Sequence, residues 1–155
     1  MTLAGLRPGR SSYKLAASRY RLPPIEKPGE MTVGFQDFCS KMVLHVDLSD
    51  KSIINSLRLE EELSLQGKCV TSRKTEWVTG HGLTIGDSPS RVVQVYGEPT
   101  SRSPSTKNGQ PLELLYYAFD WAGPNVPQVM EVVCTVPKDG MPGRVVEITL
   151  AAGSL

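Results

Sequence analysis

A chain of 155 residues has room for one ordinary domain or two very small ones. Lys and Arg number 17 against 16 Asp and Glu, so the formal charge is +1, and its balance gives no reason to expect nucleic acid or an anionic membrane as the main partner. Fourteen glycines and 12 prolines predict frequent turns and short helices, and no apolar run approaches the ~20 residues of a membrane-crossing helix.

The chain opens on Gly5-Leu6-Arg7-Pro8-Gly9-Arg10-Ser11, and the same G-L-x-x-G-x-S stands again at Gly82-Leu83-Thr84-Ile85-Gly86-Asp87-Ser88, at a constant offset of 77 residues. A short helical pattern follows each. In the first, Ser11 or Ser12 is the capping residue and Leu15, Ala16 and Arg19 form the inward stripe, ended by Arg21-Leu22-Pro23-Pro24. Period-two stretches come next: a short strand at Thr32–Phe38, then Lys41–Leu48, a tight turn at Ser49-Asp50-Lys51, and a returning strand over Ser52–Glu60. Met42, Leu44, Val46 and Leu48 point to one side, and Lys41, Val43, His45 and Asp47 to the other. Glu60, Glu61 and Glu62 read as a solvated strand end, and residues 63–79 as a connection that contains short strands at Cys69–Thr71 and Glu76–Val78.

The second helix is better signalled. Ser88 caps it, Pro89 sits at its first turn, where a missing N–H costs nothing, Val92, Val93 and Tyr96 make the apolar stripe, and Gly97 ends it before Pro99. Thr100–Gln110 reads as a mobile polar loop, followed by strands at Leu112–Trp121 and Val129–Val136. A D-G turn within Pro137–Gly143 leads to the last strand at Arg144–Ala151. Alternation puts Met130, Val132, Cys134, Val136, Val146, Ile148, Leu150, Leu115, Tyr117, Phe119 and Trp121 inside, and Glu131, Glu147 and Tyr116 on the opposite, open face. The expected fold is therefore α+β: two tandem repeats, each a short helix plus a three-stranded antiparallel meander, in two layers with one sheet face open. The repeats span residues 1–62 and 80–155.

Catalytic signatures are weak. Ser11-Ser12-Tyr13-Lys14, Ser49-Asp50-Lys51 and Lys74-Thr75-Glu76 imitate the S-x-x-K, S-D-N and K-T-G series of penicillin-recognising enzymes, but Lys51 is no amide and Glu76 replaces the glycine. No phosphate loop or zinc-protease motif is present, and Cys39, Cys69 and Cys134 lack metal-ligand spacing, so neither cofactor nor metal is expected. The cysteines read as small buried hydrophobes, with Cys39–Cys69 as the pair to test for a bridge. His45 beside Asp47 offers a pH-sensitive contact, and His81 reads as a loop residue.

The G-L-x-x-G-x-S loop, the helix ending in Y-G-x-P and the meander resemble the superfamily of β-lactamase inhibitor proteins and SmpA/OmlA/BamE outer-membrane lipoproteins, through Gly82, Gly86, Ser88, Tyr96, Gly97 and Pro99. The first half departs from that pattern after its helix, and the cysteines do not form the inhibitors' two-disulfide framework. The resemblance implies a periplasmic or secreted protein that binds another protein through its open sheet face without catalysis or membrane insertion. The expected contact residues are Lys41, His45, Asp47, Arg58, Tyr116, Glu131 and Glu147. The alternatives are a small-ligand binder or enzyme with a site in the cleft between repeats, and a structural module of a larger assembly.

Overall fold

The computed structural model describes residues 1–19, 25–26, 31–49, 52–69, 77–119 and 128–152. The predicted strands at residues 70–71 and 76, the turn residues Asp50 and Lys51, and Trp121 lie outside them. The fold is α+β. Helix α1 (Tyr13–Arg19) precedes strands β1 (Ile25–Glu26), β2 (Thr32–Asp37), β3 (Met42–Leu48) and β4 (Ile54–Glu61). Helix α2 (Pro89–Tyr96) precedes β5 (Ser101–Lys107), β6 (Gln110–Phe119), β7 (Gln128–Thr135) and β8 (Val145–Ala152). All pair antiparallel in one sheet of order β1-β2-β3-β4-β8-β7-β6-β5. Each half of the chain thus winds inward from its own edge, and their last strands meet at the centre.

That central seam pairs Leu57 with Leu150 and Leu59 with Ile148. The four side chains are almost wholly excluded from water and join one buried cluster with Leu44, Val46, Leu115, Met130, Val132, Ala16 of α1 and Val92 of α2. Both helices therefore contribute to the same apolar cluster. Trp77, 1% exposed, and Leu3, Leu6 and Leu83 complete it from outside the helices and strands. Arg144 adds a forked ion pair to Glu61 across the seam, with Nη2 at 2.9 Å from Oε1 and Nη1 donating to Oε2.

The two glycine loops make corresponding bonds, with the acceptors that follow the glycine one position later in the first loop than in the second. Gly9 N–H donates to the Ile54 carbonyl at 2.7 Å and Gly86 N–H to the Val145 carbonyl at 2.8 Å, each acceptor being the first residue of an innermost strand. Ile54 N–H returns to Ser11 O and Val145 N–H to Asp87 O, both at 2.8 Å. Inside the loops, Ser11 Oγ accepts from Arg7 N–H and Asp87 Oδ2 from Thr84 N–H, both at 2.9 Å. Gly9 and Gly86 hold φ of 82° and 93°, where a side chain would be strained, so glycine is the residue that lets these loops reach the sheet.

Several expectations change. Residues 100–110 are not a mobile loop: they form β5 and its turn into β6, with Asn108 and Gly109 at φ of 51° and 77°, the left-handed pair of a two-residue hairpin. The polar Ser101–Lys107 sequence is that of an exposed edge strand, with Pro104 tolerated because an edge residue can forgo a ladder bond. Each half consequently holds four strands, the two-residue β1 included, where three were expected. Val145, not Val146, faces the core, because a bulge opposite Val133 and Cys134 reverses the alternation at the start of β8, and Val136 is exposed because β7 ends at Thr135. In α1 the cap is Ser12, whose Oγ accepts from Leu15 N–H, and the inward residue is Ala16; Leu15 is 42% exposed and Arg19 lies outside. The second helix stands as predicted, with Ser88 Oγ accepting from Arg91 N–H and Gly97 N–H closing on the Val93 carbonyl. The D-G turn holds Asp139 and Gly140 at φ of 53° and 76°.

The cysteines divide two ways. Cys39 and Cys69 are bridged and exposed, with Cα atoms 4.6 Å apart, so the reading of three buried thiols holds only for Cys134. Burial pushes the Cys134 thiol up to about 11, which leaves it an unreactive hydrophobe. The bridge closes a loop of 30 residues, for which chain entropy gives about 3 to 4 kcal/mol of stabilisation. Cys39→Ala/Cys69→Ala, or reduction of the native protein, should lower the unfolding free energy by that amount in a urea titration. Ile148→Ala should cost about 2 to 5 kcal/mol in the same assay, through the cavity left at the seam.

Candidate functional site

The sheet face away from the buried cluster is set by register. One row runs across seven strands as Gly34, His45, Arg58, Thr149, Glu131, Tyr116 and, at the edge, Ser101. The next row runs Gln36, Val43, Glu60, Glu147, Val133, Leu114 and Ser103. Of the seven contact residues expected from sequence, His45, Arg58, Glu131 and Tyr116 share the first row and Glu147 lies in the second. Asp47 is one row further out, where its two carboxylate oxygens accept from Thr32 Oγ1 at 2.8 Å and Ser56 Oγ at 2.6 Å. Lys41 departs from the group. It sits in the β2–β3 turn with φ of 56°, and its ammonium donates to the Leu65 carbonyl, which anchors the segment after β4 rather than facing a partner.

Two residues the sequence reading missed complete the site. Glu60, taken for part of a solvated run, lies on a central strand, and its Oε1 is 2.9 Å from His45 Nε2, which replaces the expected His45–Asp47 contact. Its Oε2 is 3.4 Å from Lys107 Nζ. Lys107 ends edge strand β5, and a flat sheet would set β5 and β4 four strand spacings apart, about 19 Å. The ion pair therefore requires the β5–β6 hairpin to curl over this face, which makes it concave. Neither residue carries a sequence signal for this: the polar stretch 100–110 has the composition of a loop, and the curl joins residues 47 apart in the chain.

The electrostatics follow from that enclosure. The His45 hydrogen bond, against the cost of burial and with the added charges of Lys107 and Arg58, holds the Glu60 carboxyl down at about 2. Glu147, the register partner of Glu60, moves the other way. Burial raises it, Glu60 and Glu131 add repulsion, and Arg58 and Lys107 only partly offset them. Arg58 Nε is 3.8 Å from Glu147 Oε1 and Arg58 is largely in solvent, so this pair contributes little. The face thus carries a well-held carboxylate beside one whose charge is strained, flanked by half-buried Val133, Leu114 and Tyr116.

Other candidates fall outside the site. Ser11 of the S-x-x-K imitation accepts from Arg7 N–H and is buried, a structural role. The His81 ring makes an edge contact with Tyr96 at 5.5 Å. Among the described residues no group of three or more His, Cys, Asp and Glu side chains could hold a metal. No helix of the described residues is long and apolar enough to cross a membrane.

No protein-family model matches the chain, and neither does any curated protein. A solved structure does: a DUF4309 family protein (YjgB) from Bacillus subtilis subsp. subtilis str. 168, at 12% identity and a TM-score of 0.51, covering 99% of this chain and 87% of the other. At that identity the likeness is one of fold.

The two carboxylates give opposite predictions. Glu60 has a lowered folded value, so its contribution is complete above the ordinary carboxylate range and fades as pH falls from about 4.5 to about 2. Glu60→Gln should therefore destabilise by about 1 to 3 kcal/mol at pH 7 and by little near pH 2. Glu147 has a raised value, so its charged form opposes folding. Glu147→Gln should raise the melting temperature at pH 7, and the gain should vanish once acid protonates the native carboxyl. Thermal scans at stepped pH read both.

Proposed function

We propose that this concave sheet face binds another protein, without catalysis, in the periplasm or outside the cell. The observation that carries the proposal is the row His45, Arg58, Thr149, Glu131 and Tyr116, which places charges of both signs and an aromatic ring on one rigid surface built from both halves of the chain. Such a mixture gives orientation and selectivity through charge, with Tyr116 and Leu114 available to bury area at small entropic cost. The exposed Cys39–Cys69 bridge supports an oxidising compartment, since cytosolic reductants keep such thiols open. The matching bonds of the Gly9 and Gly86 loops support the finer architecture, a tandem duplication in two layers. The same loop and helix cap support kinship with the β-lactamase inhibitor and SmpA/OmlA/BamE superfamily. The reading of a ligand site in a cleft between repeats is weaker, because the β4–β8 ladder fills the place where that cleft would open.

Affinity capture tests the reading. Wild-type protein and Arg58→Ala/Tyr116→Ala/Glu131→Ala, matched for melting temperature, are incubated with envelope and secreted fractions. A protein retained by the first and lost at least tenfold by the second is the expected result. Equal retention removes the function from this face. A stable homo-oligomer in analytical ultracentrifugation that the same variant disrupts would instead assign the face to self-assembly.

A further inference from the structure

Charge on this chain balances in total but not in place. No Asp or Glu precedes Glu26, while Arg7, Arg10, Lys14 and Arg19 all fall in the first glycine loop and α1. Elsewhere Arg58, Arg91, Arg102, Lys107 and Arg144 each stand against a carboxylate. Those four make no ion pair with any described residue. They are held close together: Arg19 Nη1 donates to Gly5 O at 2.8 Å, folding the end of the helix back on the loop, and the seven-residue helix is only about 10 Å long.

The second half supplies an internal control. Its loop makes counterpart bonds to the sheet with one cation beside it, Arg91, and that one is paired with Asp87 at 3.3 Å. Docking such a loop on its strand therefore does not call for four cations without an ion pair among the described residues. The first unit also exposes Leu15 between Lys14 and Arg19, at 42% of its surface, while Ala16 points into the core. Cations around a protruding apolar side chain suit a broad anionic surface with an apolar layer beneath it.

We propose that the surface formed by the exposed Arg10, Lys14, Leu15 and Arg19, with the charge of half-buried Arg7 beside them, is a peripheral docking site for an anionic lipid bilayer. Phosphodiester headgroups meet the guanidinium and ammonium groups, and Leu15 enters the headgroup boundary. Ala16 and Leu6 belong to the cluster beneath the sheet, so docking here leaves the concave face turned away from the lipid and free for a partner. The site does not depend on the protein-binding reading.

Vesicle flotation tests it with the full chain. Vesicles of phosphatidylcholine alone and vesicles with about one-third phosphatidylglycerol are compared at 0.05 and 0.3 M NaCl. The expected result is partition onto the anionic vesicles only, weakened at high salt as screening shortens. Arg10→Gln/Lys14→Gln/Arg19→Gln should reduce it roughly a hundredfold, since each cation near an anionic surface is worth about fivefold. Leu15→Ser should lower it by less while keeping the salt dependence. Should the triple variant lose its melting transition, Arg10→Gln/Lys14→Gln, which spares the Arg19–Gly5 bond, should still cost roughly 25-fold. Arg58→Ala/Tyr116→Ala/Glu131→Ala should bind vesicles as wild type does, which separates this site from the concave face. Absence of binding, equal binding to both vesicles, or binding unchanged in the charge variants would overturn the proposal. Tight binding to heparin or to single-stranded DNA with none to vesicles would overturn it in favour of a soluble polyanion.

Discussion

The antiparallel ladder between β4 and β8 is the contact on which the rest of the molecule depends. It joins strands 54–61 and 145–152, the ends of the two halves, through five register pairs, and it places Leu57, Leu59, Ile148 and Leu150 against the helices. Without it each half would be a short meander with a bare edge and part of a core, close to the lower limit of what folds alone. With it, eight strands share one sheet and residues from both halves stand side by side. Arg144 and Glu61 fix the end of that seam by a two-point contact, a geometry that resists sliding by one residue.

Both faces of the seam matter, for opposite reasons. On the buried face the pairs are apolar and water is excluded, so area burial decides. On the other face the same register sets Arg58 against Thr149 and Glu60 against Glu147. Two carboxylates opposed on adjacent strands repel each other, and the molecule relieves only one of them, by giving Glu60 the His45 ring and the Lys107 ammonium. Glu147 is left half-served, with the exposed Arg58 guanidinium 3.8 Å away. A stable fold can carry such a residue because its cost is small beside the apolar seam beneath it.

The bridge between Cys39 and Cys69 works at another point. The residues after β4 leave the sheet, and three contacts bring them back to the β2–β3 turn: the disulfide, the Lys41 ammonium on the Leu65 carbonyl, and Gly67, whose backbone lies so close to the Phe38 ring that a β-carbon there would stand 2.4 Å from it. The turn is itself organised by Asp37, whose side chain accepts from Cys39 and Ser40. Together they hold the start of the segment that leads to Trp77 and the second half.

Much of this architecture was legible in the sequence because it rests on local rules. Alternation at Met42–Leu48 and Gln128–Thr135, the Ser88 cap with Pro89, and the Asp139-Gly140 turn each depend on residues within a few positions of one another. Even the repeated glycine loop shows itself in G-L-x-x-G-x-S, since only glycine takes φ near 90° at Gly86 without strain. The face bearing His45, Arg58, Glu131 and Tyr116 followed from the same alternation. Tertiary structure decided the rest. A bulge at Val133–Cys134 reversed Val145 and Val146, pairing made a strand of the polar Ser101–Lys107, and one extra residue before the α1 cap turned Leu15 outward. Most of all, it brought Lys107 onto Glu60 and Cys39 onto Cys69. Those contacts depend on sheet curvature and chain reversal, which arise from the summed packing of many residues and leave no mark in the spacing of the few that meet.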